Sequence, residues 1–371
     1  MFVPLGLLSF AGIGIGIGYA IWYHKHNNDG GGDNHDNYFV INDKTTTMTV
    51  PKIYRAEKPT SSFDDLVCIN LESISQQNGL INKFKLEGEI NTPIFCPDGY
   101  TCDLIGTDNA TINLISSHSK TAGIIFGMTS PNTSPSTPTN EINWNISNIN
   151  IIGNDNTTGV CVLEEISQNV TFQNNKILDC STGLLFTDIL DVDSNVNIKS
   201  NVIICNRLSL NSQSFGVLFE DPVYGNVDIS SNKIINISLN GSFNIAFASN
   251  YNGKTGQTIT FDHNVLKSEC HNANNAILCK AHAISFIDIV SNNWVTINVN
   301  DNSITTCMDS GNTSSEQFAF SYSCHKSPSA SSSWTNNNFY SNTSTNPGCN
   351  STNTEILALY NASFAWEELI L

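Results

Sequence analysis

Acidic residues recur at one spacing in the middle of the chain. Glu164, Asp188 and Asp221 each lie five residues beyond a glycine that opens a short apolar run, respectively Gly159, Gly183 and Gly216. Those runs (Gly159-Val-Cys-Val-Leu163, Gly183-Leu-Leu-Phe186, Gly216-Val-Leu-Phe219) read as strands, with later copies at Asn244-Ile-Ala-Phe247 and Phe318-Ala-Phe320. If the copies stack as neighbouring strands, the three carboxylates come within about 5 to 10 Å of one another. Paired carboxylates at such separations are the machinery of glycosidic-bond hydrolysis, one acting as acid and the other as nucleophile or base. The same oxygens could hold a calcium ion, the one cofactor the sequence suggests. The plain alternative is that acidic residues favour solvated turns.

Sulfur and imidazole form a second group. Cys270-His271-x7-Cys279-x2-His282 puts four metal-capable side chains into one short stretch. The spacing is not that of a standard zinc finger, so a Cys270–Cys279 disulfide, a metal site and free thiols are the alternatives. Cys96 and Cys102 bracket a Pro-Asp-Gly-Tyr-Thr turn that a disulfide would close. Eleven cysteines leave one thiol over, and Cys68 is the isolated candidate. Cys180 and Cys205 either pair or stack as small apolar groups. His118, His263 and His325 stand beside no nucleophile motif and read as turn histidines. Trp294, Trp334, Tyr322 and Tyr340 could stack on sugar rings or pack into a core. Asn109, Asn145, Asn169 and Asn236 head N-x-S/T sequons and are candidate glycan acceptors.

Composition limits the partners. The 371 residues carry a net charge of −17 and only two arginines, Arg55 and Arg207. Such a chain repels phosphate backbones, which argues against nucleic acid as a partner. Hydrophobic residues make up 40% of the chain, enough for a substantial core. Asparagine accounts for 52 residues, and its placement is ordered.

The elements that would position these groups repeat. Six segments of the form apolar-x-apolar-x-x-Asn align on Asn154, Asn175, Asn201, Asn232, Asn264 and Asn302, and a weaker copy ends at Asn338. An apolar residue usually follows two places after the Asn. Period-two alternation excludes helical repeats, and units of this length with several short strands describe coils of a parallel β-helix. Asn suits the corner, because it tolerates the left-handed backbone conformation. Its amide can also bond to the identical amide one coil away. Before the repeat, Tyr38–Ile41, Thr47–Val50, Leu66–Leu71 and Lys83–Ile90 read as strands.

On this repeat the chain resembles the right-handed parallel β-helix superfamily, the pectin-lyase-like fold, over residues 100 to 345. The resemblance implies an all-β solenoid and admits polysaccharide lyases and glycoside hydrolases. The Gly-His-Gly and Arg-x-Lys strings of its pectin-degrading members are missing from this chain.

The first residues carry a different signal. Phe2 to Tyr23 is uncharged, long enough for a tilted bilayer span, and carries small residues at Gly12/Gly16 and Gly14/Gly18. A cleaved signal peptide ending near Gly18-Tyr19-Ala20 is the rival reading. The expected organisation is an anchor at 1–23, a linker at 24–37, an N-terminal β cap at 38–100, a β-helix at 101–345 and a C-terminal cap at 346–371. A single-pass membrane protein with its β-helix outside the cytoplasm follows, with a structural, attachment or glycan-binding role and a polysaccharide-degrading enzyme as the alternative. The expected partners are the membrane, carbohydrate and a second copy of the chain.

Overall fold

Each circuit of the chain makes three short strands. Asn169–Gln173, Lys176–Cys180 and Thr182–Phe186 form one such circuit, and each pairs in parallel with its counterpart one coil on. The computed structural model describes residues 38–54, 62–78, 82–97, 101–127, 143–163, 169–187, 193–207, 213–221, 223–247, 257–271, 280–289, 295–308, 316–324, 331–335, 338–343 and 358–360. Among them the strands build sheets of ten, nine and eleven members. Sheet 1 runs from Phe39–Ile41 to Ser331–Thr335, sheet 2 from Glu89–Ile90 to Asn338–Thr343, and sheet 3 from Met48–Tyr54 to Ala358–Tyr360. The result is an all-β, β-helix-like solenoid, as the repeat predicts.

Alternation builds the core. Val170 and Phe172 of sheet 1, Ile177 of sheet 2, and Leu184 and Phe186 of sheet 3 all point into one continuous apolar interior. Stacking neighbours then places like on like. Phe186, Phe219, Phe247 and Phe286 lie in register, with ring centroids 4.6, 4.6 and 4.5 Å apart in sequence along the stack. Gly159, Gly183 and Gly216 also fall into line, since a Cβ on Gly183 would come within 2.4 Å of the Gly216 carbonyl oxygen and of Ile203 Cγ2. Beside these residues there is no room for a side chain. Asn244 occupies the next place in this row.

From Asn148 to Asn302 the corner between sheets 1 and 2 is two residues long, whereas the earlier corner between Cys102–Gly106 and Thr111–Asn113 takes four. The first residue of the two-residue corner is left-handed, with φ of 59, 56, 57, 58, 53 and 55° at Asn148, Asn174, Ser200, Ser231, His263 and Asp301. Its second residue is the ladder position. Asn175, Asn201, Asn232, Asn264 and Asn302 stand there, buried, each donating Nδ2 to the Oδ1 of the next where a next is described, at 2.9–3.1 Å. The left-handed conformation therefore belongs to the residue before the ladder asparagine, not to the asparagine itself.

Asn154 does not belong to this ladder. The place before Asn175 is held by Ile149, whose amide donates to Asn175 Oδ1 across a separation of 26 residues. Asn154 sits in a later turn, where its Nδ2 donates to the carbonyls of Leu114, Ile115 and Ser117 at 3.3, 3.0 and 2.8 Å. At the other end, Asn338 pairs with Ser303, one residue past the ladder place.

Strands of the stretch expected as a cap already join the sheets. Phe39–Ile41 pairs with Lys83–Leu86 in sheet 1, and Glu89–Ile90 with Thr111–Asn113 in sheet 2. The antiparallel pair Met48–Tyr54 with Ser62–Asn70 lies at the first edge of sheet 3. The helix Leu71–Gln77 follows, capped by Asn70 Oδ1 accepting from the Ser73 amide at 3.1 Å. Among the described residues no helix is long and apolar enough to cross a membrane. The expected anchor 1–23, the linker 24–37 and most of the C-terminal stretch 346–371 lie outside the described residues.

Candidate functional site

The outward face of sheet 1 carries polar residues in register from coil to coil. One row across it reads Asp103, Asn145, Thr171, Asn197, Asp228, Thr260 and Asn298, in register from coil to coil. A second row reads Asn143, Asn169, Asn195, Asn226, Thr258 and Thr296. These positions point out because the alternate residues of the same strands are buried, as period two requires.

The second row bonds to itself. Asn169 Nδ2 donates to Asn143 Oδ1 at 3.3 Å, Asn195 Nδ2 to Asn169 Oδ1 at 3.0 Å, and Asn226 Nδ2 to Asn195 Oδ1 at 3.1 Å. In the first row, Asn145 donates to Asp103 at 3.0 Å and Lys199 pairs with Asp228 at 2.8 Å. Asp228 keeps its other carboxylate oxygen buried and unbonded. The face thus offers amide, hydroxyl and carboxylate groups at a strand-to-strand repeat of about 4.8 Å.

Of the carboxylates expected to do chemistry, Asp221 alone is among the described residues, and it lies on a different edge. Val162, Phe186 and Phe219 pair in register, and Asp221 follows Phe219 where sheet 3 leads back to sheet 1. Asp221 is half-exposed there, and Glu164 and Asp188 lie outside the described residues. An open groove of about 430 Å³ sits on the edge between sheets 2 and 3, lined by His118, Asn154, Asp155, Asp179 and Asn206 among others. Sequence reading missed it, because these residues converge only once Asn154 has tied the 114–117 turn to its own.

The cysteines divide. Cys96 and Cys102 are both thiols, which corrects the disulfide expected across their turn. Each side chain belongs to a strand and points into the apolar core rather than across the turn. Cys270 is disulfide-bonded and therefore no zinc ligand, and so is Cys307, while Cys279 lies outside the described residues. Cys180 and Cys205 stack in register as thiols. Burial pushes the Cys180 thiol up to about 12 and Cys205 well above its ordinary value. Cys68 is likewise a buried thiol, raised to about 12 by burial.

The sequon asparagines differ in exposure. Asn109 is exposed on a left-handed turn. Asn145 and Asn169 are bonded through Nδ2 on sheet 1. Asn236 is fully buried, with Nδ2 donating to the carbonyls of Ser214 and Phe243 at 2.7 and 2.6 Å, so the expected acceptor role does not fit the fold. Comparison of the chain with protein-family models, with curated proteins and with solved structures gave no match.

Proposed function

We propose that this chain is a membrane-tethered member of the right-handed, pectin-lyase-like β-helices, displayed outside the cytoplasm and binding glycan polymers on the outward face of sheet 1. The observation that carries the reading is the in-register array from Asp103 to Asn298. A linear polysaccharide presents hydroxyls at a regular rise. Repeated amide and carboxylate groups match such a ligand better than they match a compact small molecule, which needs an enclosed pocket. The uncharged Phe2–Tyr23 run followed by a Gly/Asn/Asp-rich spacer supports tethering and display. Co-sedimentation of the full-length protein with insoluble polysaccharides tests it. Wild type should pellet with at least one polymer, and the Thr171→Ala/Asn197→Ala/Thr260→Ala variant should stay in the supernatant.

The alternative, a polysaccharide-degrading enzyme, draws on the common five-residue spacing of Glu164, Asp188 and Asp221 from Gly159, Gly183 and Gly216. Reducing-end release by wild type, abolished in Asp188→Asn/Asp221→Asn, would establish that alternative in place of a binding role.

A further inference from the structure

Asp262, His263 and Asp301 meet where sheet 1 turns into sheet 2 in two neighbouring coils. Each offers one ligand atom, and those atoms all lie within 4.8 Å of one another. Backbone register sets this up. Asp262 ends a sheet 1 strand opposite Asn300, and His263 and Asp301 are the left-handed corner residues that follow, φ 53 and 55°. In the earlier coils the corner residue is Asn148, Asn174, Ser200 or Ser231, so imidazole and carboxylate enter this row together and only here among the described residues.

Both neighbours of each corner residue are fixed. Asn264 and Asn302 are locked in the buried ladder, with Asn264 donating to Asn302 Oδ1 at 2.9 Å. The cluster is therefore carried on a rigid frame while its side chains stay exposed and adjustable. Asp262 Oδ2 already holds His263 Nδ1 at 2.8 Å. Of the three groups only the imidazole can carry positive charge, and it is paired with Asp262.

We infer that Asp262, His263 and Asp301 form a site for a divalent transition metal ion of the zinc class, which clips one coil to the next. One imidazole and two carboxylates are ligands this class accepts, whereas calcium gains nothing from imidazole and wants six to eight oxygens. Tetrahedral zinc bonds of about 2.0–2.2 Å set ligand atoms roughly 3.4 Å apart. Exposed side chains reach that from the present spacing by an adjustment of about an ångström. Three protein ligands leave one position for water. The ion would add a bond between coils outside the apolar core, independent of any glycan on sheet 1.

The test uses the full-length protein with Co²⁺ as a spectroscopic probe for Zn²⁺ and with Ca²⁺ as a control. Because His24, His26 and His35 could also take up metal, the readout is the difference between variants. His263→Ala and Asp301→Asn should each bind one equivalent of Co²⁺ fewer than wild type, and Zn²⁺ should raise the melting temperature of wild type alone. Circular dichroism of the apo proteins, expected unchanged for these exposed positions, separates metal loss from misfolding. Equal stoichiometry and equal spectra in wild type and both variants would overturn the site. So would stabilisation by Ca²⁺ that is indifferent to His263→Ala.

Discussion

Asn201 gives two hydrogen bonds to one atom of Asn232. Its main-chain N–H and its side-chain Nδ2 both donate to Asn232 Oδ1, at 2.9 and 3.0 Å. Asn201 Nδ2 also reaches back to the Phe172 carbonyl at 2.8 Å, so a single amide ties three coils together. Both side chains are 1% exposed, which makes these bonds costly to leave unmade.

Substituting Asn232 by Leu should therefore be severe. It orphans the Asn201 amide and the Ile198 carbonyl in a dry corner. At about 1–3 kcal/mol for each buried group left unpaired, the loss is roughly 2–5 kcal/mol. Asn195→Ala removes a link of the exposed ladder and should cost no more than about 0.5 kcal/mol. Urea unfolding of the two variants measures the contrast, and equal losses would show that the buried ladder has no special weight.

Gly183→Ala tests the packing of sheet 3. The new methyl would meet the Gly216 carbonyl and Ile203, and overpacking of this kind costs about 1–3 kcal/mol. Phe219→Ala, in the middle of the ring stack, should cost about 3–5 kcal/mol. Thermal denaturation should rank the phenylalanine variant as the weaker.

Cys68, Cys180 and Cys205 should resist alkylation in the folded chain. A thiol at about 12 is ionised in roughly one molecule in ten thousand at pH 8, and the thiolate is the nucleophile. Mass spectrometry after iodoacetamide treatment should find all three unmodified until denaturant is added. Rapid labelling of Cys180 in the native state would mean that the coil opens there.

Glu269 confers a pH dependence. Burial alone would raise its carboxyl, but hydrogen bonds and charge from His271 and Lys267 outweigh burial and lower it. A depressed carboxylate contributes stability above its unfolded value near 4.5, and that contribution is lost as pH falls through the folded value. Glu269→Gln should thus be less stable than wild type at pH 7, by about 1–3 kcal/mol for lost charge-assisted bonds. The gap should shrink by pH 3. A gap independent of pH would remove the carboxylate from the account.

The ladder was legible in the sequence because Asn is the residue whose side chain can both accept and donate at a buried corner, and five of its six described strand-to-corner motifs follow one pattern. Asn154 misled because it also follows an apolar-x-apolar triplet. The true place, Ile149, carries no polar mark, since the ladder's end needs only an amide to donate to Asn175. The strand Lys280–Ile289 was not read as a copy; Ala283 stands in the place that Gly159, Gly183 and Gly216 hold in earlier coils and Asn244 in the coil before. The groove around Asn154 and the Asp262–His263–Asp301 cluster escaped for a shared reason. Their members lie in different coils, and only the exact register decides which of them meet.

The constant corner along the asparagine ladder has a further result. Coil separations along the ladder grow from 26 to 38 residues, yet at each ladder asparagine the turn from sheet 1 to sheet 2 stays at two residues. All added chain must emerge along the other two edges. The amide seam acts as a spine that holds the pitch constant, so loops opposite it can lengthen, shorten or change character without shifting any neighbouring rung.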